Sequence, residues 1–252
     1  RPKASAEYPL ASAGAGASFG VVAAKNSRFR RVAKWILLAA FLALLVPPLQ
    51  VAFSAVLNPR WSPMQLQRKL EGIPRRPVIW TPLDKIPRDL IHFIWASEDQ
   101  AFFEHGGFDF ESLEKALAEA RRKGGPVRGS STITMQCARS LYLWQGRSYV
   151  RKILEAYYTF WMELFLGKKR ILELYLNHIE FGPGIYGIGA AAREYFQRPP
   201  EALTRSQMIA LAAILPNPLK WSPVRPDETV RKKIRRIERL AARAPFPRKE
   251  LE

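Results

Sequence analysis

Apolar positions along the chain form one continuous run and then a series of stripes at helical spacing. The run occupies 35–46 and, after Pro47-Pro48, resumes as far as Leu57; the stretch 35–57 is uncharged, with Gln50 and Ser54 as its polar members. At ~1.5 Å per residue such a stretch can cross a ~30 Å hydrocarbon core. Arg28, Arg30, Arg31 and Lys34 stand immediately before it, which by the positive-inside rule predicts an N-terminus in the cytoplasm and everything after residue 58 outside. A cleaved signal peptide is the other reading, with Ala52-Phe53-Ser54 as its small-residue cleavage site. The long segment ahead of the run and the apolar character beyond the prolines favour a retained anchor.

Beyond the run, Pro63, Pro74, Pro77, Pro82 and Pro87 punctuate the chain, as in a stalk threading onto a domain surface, with 64–70 as a short exception. Helical spacing then predicts a helix over 89–103 with Leu90, Ile91, Ile94, Trp95 and Phe102 as its apolar stripe, ended by Gly106-Gly107. Further helices are expected at 110–122, 132–144, 149–166, 168–178, 187–196, 206–215 and 228–242, separated by Gly- and Pro-rich breaks such as Phe181-Gly-Pro-Gly184. Period-2 alternation is almost absent. The expected layout is a basic cytoplasmic tail over 1–34, a transmembrane anchor over 35–57, a Pro-rich extracytoplasmic stalk over 58–78 and a mostly α domain over 79–252.

Charge and cysteine usage narrow the chemistry. With 40 Lys+Arg against 22 Asp+Glu in 252 residues, the net charge of +18 points to an anionic partner. At 48% hydrophobic residues the chain is too apolar for disorder. Cys137 stands alone, excluding an internal disulfide and a thiolate zinc cluster, and the scattered His92, His105 and His178 form no His-rich metal site. The basic stretch 225–249 raises nucleic-acid binding, but the predicted topology places it outside the cytoplasm. A surface near anionic lipid or lipid-diphosphate, or a solvated terminal helix, suits it better.

Three groups of residues could hold chemistry. Glu98, Phe102 and His105 fall at i, i+4 and i+7, so on a helix a carboxylate, an aromatic ring and an imidazole would line one wall, with Asp99 beside them. A carboxylate among apolar groups can act as a base near neutral pH; a solvated helix end explains the same letters. Next, Gly129-Ser-Ser131-Thr132 opens a helix containing Gln136 and Arg139, an anion site by backbone N–H groups and dipole, or an ordinary Ser/Thr cap. Third, Arg151 and Lys152 stand four and three residues before Glu155 within an aromatic-rich helix, where two cations can hold one carboxylate ionised. Together they fit a glycosyl donor with a phosphate leaving group.

Five segments in order, Glu98-Asp-Gln-Ala-Phe102-Phe-Glu-His105-Gly-Gly-Phe-Asp109, Gly129-Ser-Ser-Thr132-Ile-Thr-Met-Gln136, Arg151-Lys-Ile-Leu-Glu155, Lys169-Arg-Ile-Leu-Glu173-Leu-Tyr-Leu-Asn177 and Ala213-Ile-Leu-Pro-Asn-Pro218, resemble the motifs of the peptidoglycan glycosyltransferases, which also form the N-terminal domain of bifunctional penicillin-binding proteins. The resemblance covers roughly 79–223. No transpeptidase domain is expected after Glu252, and 143–152 resembles the linker of stand-alone members, so a monofunctional biosynthetic enzyme is expected. The resemblance implies a lysozyme-like helical glycosyltransferase domain with a small membrane-adjacent jaw subdomain, on a single-pass protein of the cytoplasmic (inner) membrane facing the periplasmic or outer side.

The same resemblance implies residue roles. Glu98 corresponds to the base that deprotonates the acceptor 4-hydroxyl for attack on C1 of the donor, and Glu155 to a second catalytic carboxylate near the diphosphate leaving group. Ser131, Thr132, Gln136, Arg139, Arg151 and Lys152 fall where substrate diphosphate or the neighbouring sugar binds, and Asp99, Phe102 and His105 are expected on the substrate wall. The implied reaction polymerises lipid II by an inverting displacement of undecaprenyl diphosphate. The sequence establishes no cofactor and leaves open a divalent cation, Mg or Mn, at the diphosphate. Expected partners are lipid II, the growing glycan, the membrane and cell-wall synthesis or division proteins, without nucleic acid. Two positions depart from the family pattern: Ser130 replaces a glycine and Met135 a glutamine. The rival readings are a lysozyme-like hydrolase or lytic enzyme and a non-enzymatic membrane-tethered scaffold.

Overall fold

A computed structural model describes residues 17–125, 131–146 and 148–251. Gly129 and Ser130, singled out above, lie outside the described residues. The chain divides into two compact units, Arg1–Val46 and Pro47–Glu252. Helix α1 spans Ala17–Val56 with Pro47 and Pro48 inside it, and its part Phe29–Val56 is long and apolar enough to cross a membrane, with a mean hydropathy of 2.3. The two polar positions of the apolar run acquire partners within the second unit. Tyr158 donates to Gln50 Oε1 at 2.5 Å and Tyr142 donates to Ser54 Oγ at 2.7 Å. The two phenol rings stack with centroids 4.6 Å apart, and burial pushes the Tyr158 hydroxyl up to about 12, which keeps it a donor.

The 58–78 segment, read above as a stalk, is packed onto the rest of the second unit. Ser62 caps helix α2 (Pro63–Leu70) by accepting from Gln65 N, Pro63 occupies its first turn, and Met64 and Gln65 are buried. His178 holds the preceding chain by an imidazole nitrogen 3.0 Å from Pro59 O, and Arg76 N donates to Gly184 O at 2.9 Å.

Helix α3 (Arg88–Glu98) buries Leu90, Ile91, Phe93, Ile94, Trp95 and Ala96, each large apolar side chain contributing about 1.5–3 kcal/mol. It ends at Glu98, five residues earlier than its hydrophobic spacing predicted. The cause is Asp99, whose carboxylate leaves the helical path to serve two other segments. Helix α4 (Phe110–Lys123) is capped by Asp109 and stopped by left-handed Gly124; none of its residues is buried. The interior is formed by α5 (Ile133–Tyr142) against α6 (Tyr149–Phe165) and α7 (Lys168–His178). A second packing group sets α3 against α9 (Arg205–Ile214) and α10 (Glu228–Arg243). Cys137 lies in the first of these cores, its Sγ 3.7 Å from Ile171 O, and burial pushes its thiol up.

Strands β1 (Glu180–Gly182) and β2 (Ile185–Tyr186) form a small antiparallel hairpin where only a break was expected between α7 and α8 (Ile188–Phe196). Strands this short leave no alternation to read. Gly187 has φ +79°, and a Cβ there would lie 2.5 Å from Asn177 O. Both the left-handed backbone and the close approach require glycine. Gly187→Ala should therefore destabilise the fold by at least about 2 kcal/mol, read as a lowered midpoint of thermal unfolding in detergent; an unchanged midpoint would refute the packing described.

Candidate active site

Glu98 closes α3, and its neighbour Asp99 fixes the local architecture. The Asp99 carboxylate accepts from Ile133 N, the first residue of α5, at 2.9 Å and lies 3.0 Å from His105 Nε2. Because His105 Nδ1 accepts from Gly107 N at 3.0 Å, Nε2 is the protonated nitrogen and donates to Asp99. Lys168 closes the same loop by donating to His105 O at 2.7 Å and to Glu163 at 2.8 Å. The expected helical wall of Glu98, Phe102 and His105 is thus not formed. Phe102 is fully buried, under Lys168 Nζ at 4.7 Å from the ring centroid and edge-on to Phe103; it faces the core, not a cleft. His105 and Asp99 hold each other and the start of α5, positioning Glu98.

Thr132 follows the capping alternative. Its hydroxyl accepts from Met135 N at 3.1 Å and donates to Gly107 O at 2.7 Å, within the protein interior. Ser131 remains open and lines, with Glu98, Asp99, Ser97 and Arg236, a cavity of about 350 Å³. One helical turn into α5, Gln136 donates through Nε2 to Glu98 Oε2 at 3.0 Å while its Oε1 accepts from Tyr175 OH at 3.2 Å. Tyr175 is fully buried, so this chain fixes which way the Gln136 amide points and thereby one Glu98 oxygen. The pKa of Glu98 is raised above the ordinary carboxylate value. Burial is the main cause and Asp99 adds to it, against the Gln136 hydrogen bond and the charges of Lys233 and Arg139.

A second cavity, about 430 Å³, is lined by Gln136, Arg68, Arg139, Arg151, Tyr175 and Asn217 among others. Behind it Glu155 is fully buried and accepts from Arg151 Nη1 at 2.6 Å and from Lys152 Nζ at 2.7 Å, with Arg139 Nη1 3.9 Å away. Three cations converge on one carboxylate. Gln136 thus joins a desolvated carboxylate on one side to a cation-lined cavity on the other. Both Glu155 oxygens are already bonded to cations, and no group of three His, Cys, Asp or Glu side chains suited to a metal occurs among the described residues.

Sequence reasoning missed the contribution of α10. Val230, Ile237 and Ala241 are buried in it, and this stripe, legible at 230, 234, 237 and 241, marks a packed helix rather than a solvated one. It brings Arg236 to the Glu98 cavity and half-buries Lys233, whose pKa falls below the ordinary lysine value through burial while the Glu98 charge works in the opposite sense.

A desolvated carboxylate beside a cavity lined by guanidinium groups characterises an enzyme that deprotonates one group while neutralising an anionic one. The family profile described as "Transglycosylase" matches residues 66–242, and the chain belongs to this family. It is 46% identical over 211 residues to a biosynthetic peptidoglycan transglycosylase of Caulobacter vibrioides, covering 82% of this chain and 90% of the relative. Proteins with the same description from Xanthomonas euvesicatoria pv. vesicatoria (42% identity, 88% of this chain and 92% of the relative) and Pseudomonas aeruginosa (41%, 82% and 90%) are also similar.

The raised pKa of Glu98 has a consequence for stability. A carboxyl that binds protons more tightly folded than unfolded makes the fold less stable as pH rises from the unfolded value of about 4.5 through the folded one. Glu98→Gln should accordingly unfold at a higher temperature than the wild type at pH 8, the gap narrowing on acidification toward pH 4.5. A variant less stable than the wild type at pH 8 would refute this environment for Glu98.

Proposed function

We propose that the chain polymerises lipid II into glycan strands in peptidoglycan synthesis, with Glu98 as base and the Arg139–Arg151–Lys152 group as the leaving-group site. Family membership and the relatives' descriptions support the activity. The bridge from Glu98 through Gln136 to the cation-lined cavity is the observation that carries the residue roles. In this reading the acceptor 4-hydroxyl gives its proton to Glu98 as its oxygen forms a bond to donor C1. The C1–oxygen bond to the diphosphate breaks, and the electron pair leaves on an anion that the guanidinium and ammonium groups stabilise. Attack opposite the leaving group inverts the anomeric centre, and groups held in place for both partners lower the barrier without solvent reorganisation. Glu155 aligns Arg151 and Lys152. Phe29–Val56 serves as a retained single-pass anchor of the inner membrane with the catalytic unit on the outer side, and the exposed apolar residues of α4, Phe110, Leu113 and Leu117, form the membrane-adjacent jaw. A hydrolase, whose leaving group is a sugar, would have no use for the cation-lined cavity.

Detergent-solubilised protein given labelled lipid II should make lysozyme-sensitive polymer, and Glu98→Gln should reduce turnover by at least about 100-fold while still binding the substrate. Turnover retained in Glu98→Gln would remove the base assignment, and cleavage of finished peptidoglycan without polymerisation would replace the function. The environment of Glu98 also sets the pH profile. Activity should fall on the acid side as Glu98 protonates, above the ordinary carboxylate range. Gln136→Met, which removes a donor that favours the charged form, should move this limb to higher pH by about one unit; an unmoved limb would separate Gln136 from the titrating group.

A further inference from the structure

A third cavity, about 910 Å³, opens between the end of α1 and Trp80 and shares no lining residue with the two cavities of the active site. Its wall holds Arg60, Lys69, Arg75 and Arg76 together with Trp61 and Trp80, and no carboxylate lines it among the described residues. Arg76 is engaged with Glu194 at 3.6 Å; Arg60, Lys69 and Arg75 make no ion pair among the described residues. Three cations without an acid in one concavity, Arg60, Lys69 and Arg75, repel one another unless an anion joins them.

Arg75 is the most constrained of the four. Its guanidinium lies 4.1 Å above the Trp61 ring and donates through Nη2 to Arg60 O at 2.5 Å. Its Nε is buried without an acceptor among the described residues. Burial lowers the pKa of this group below the ordinary arginine value, as expected where no anion offsets desolvation. The concavity is held open from behind: Arg170 stacks toward Trp80 at 5.5 Å and donates to Leu57 O and Asn58 Oδ1 at 2.8 and 2.9 Å.

Position selects the ligand. The cavity wall begins at Asn58, two residues beyond a helix long and apolar enough to cross a membrane, whose last turns belong to the same compact unit. Residues immediately after such a helix lie at headgroup depth, where exposed tryptophan is favoured and phosphate is abundant; Trp61 is 55% exposed. We propose that this cavity binds the phosphate headgroup of an anionic membrane phospholipid, with Arg60, Lys69 and Arg75 as ligands and Trp61 and Trp80 against the glycerol and acyl edge. This site is separate from the substrate diphosphate site; it rests on the reading of Phe29–Val56 as a membrane anchor and not on the proposed polymerisation of lipid II.

The test is native mass spectrometry of the full chain in detergent, exposed to equimolar phosphatidylglycerol and phosphatidylcholine without lipid II. Wild type should retain phosphatidylglycerol in preference, and Arg60→Gln/Lys69→Gln and Arg75→Gln should each weaken this preference by about five-fold per cation removed. Arg60 and Lys69 are exposed, so the double variant decides the matter even if Arg75→Gln fails to fold. Equal retention of the two lipids, or a preference unchanged in the double variant, would overturn the proposal. Displacement of the lipid by excess inorganic phosphate at matched ionic strength would reassign the cavity to a free anion.

Discussion

The carboxylate of Asp99 is the joint on which the active site turns. One oxygen receives the first amide of α5 and the same group receives the His105 imidazole, so the end of α3 and the start of α5 are tied at a fixed offset. Glu98 sits on the first of these helices, and Gln136 and Arg139 on the second. Their juxtaposition follows from a charge-assisted hydrogen bond to a helix amino end, where dipole and unsatisfied N–H groups favour an anion. Thr132 reinforces the joint by returning its hydroxyl to Gly107 O. Gly107 is held at a positive φ against the side chains of Thr159 and Glu163.

Much of this architecture was legible in the sequence because it rests on local rules. The apolar run, the helical stripes and the Ser, Thr and Asp residues at helix starts are properties of neighbours in sequence, and Ser62, Thr132, Ser148, Thr204 and Asp227 all cap the helices that follow them. The Arg151–Lys152–Glu155 cluster was legible for the same reason, its members being one turn apart. What was not legible depends on distant partners. Nothing in the spacing around Phe102 announces that Asp99 leaves α3 to meet residues 34 positions away, so the helix was extended through a turn and Phe102, buried with the apolar stripe as expected, was also aligned with Glu98 and His105 on one wall. The charge of α10 hid its packed face, and with it the approach of Lys233 and Arg236 to Glu98. The hairpin over 180–186 was too short to show a period.

The two carboxylates Glu98 and Glu155 are held in opposite surroundings. Glu155 is deeper but is met by three cations, whereas Glu98 is desolvated with a single amide donor and cations only at longer range. Depth alone therefore does not set a carboxylate's surroundings; the neighbours do. The stacked pair of tyrosines makes a related point about α1. Gln50 and Ser54 break the apolar run in sequence, yet their partners Tyr158 and Tyr142 come from α6 and α5, the helices that hold Glu155 and Gln136.

Cys137 sits between α5 and α7 with its thiol held protonated by its surroundings. It is the single cysteine in the sequence, and a protonated, enclosed thiol is a poor nucleophile. The folded chain consequently offers no thiolate to alkylating or oxidising reagents. A cysteine introduced at the rim of the cleft would be labelled against a silent background, which makes the native protein a ready host for spin labels, fluorophores and distance measurements during turnover.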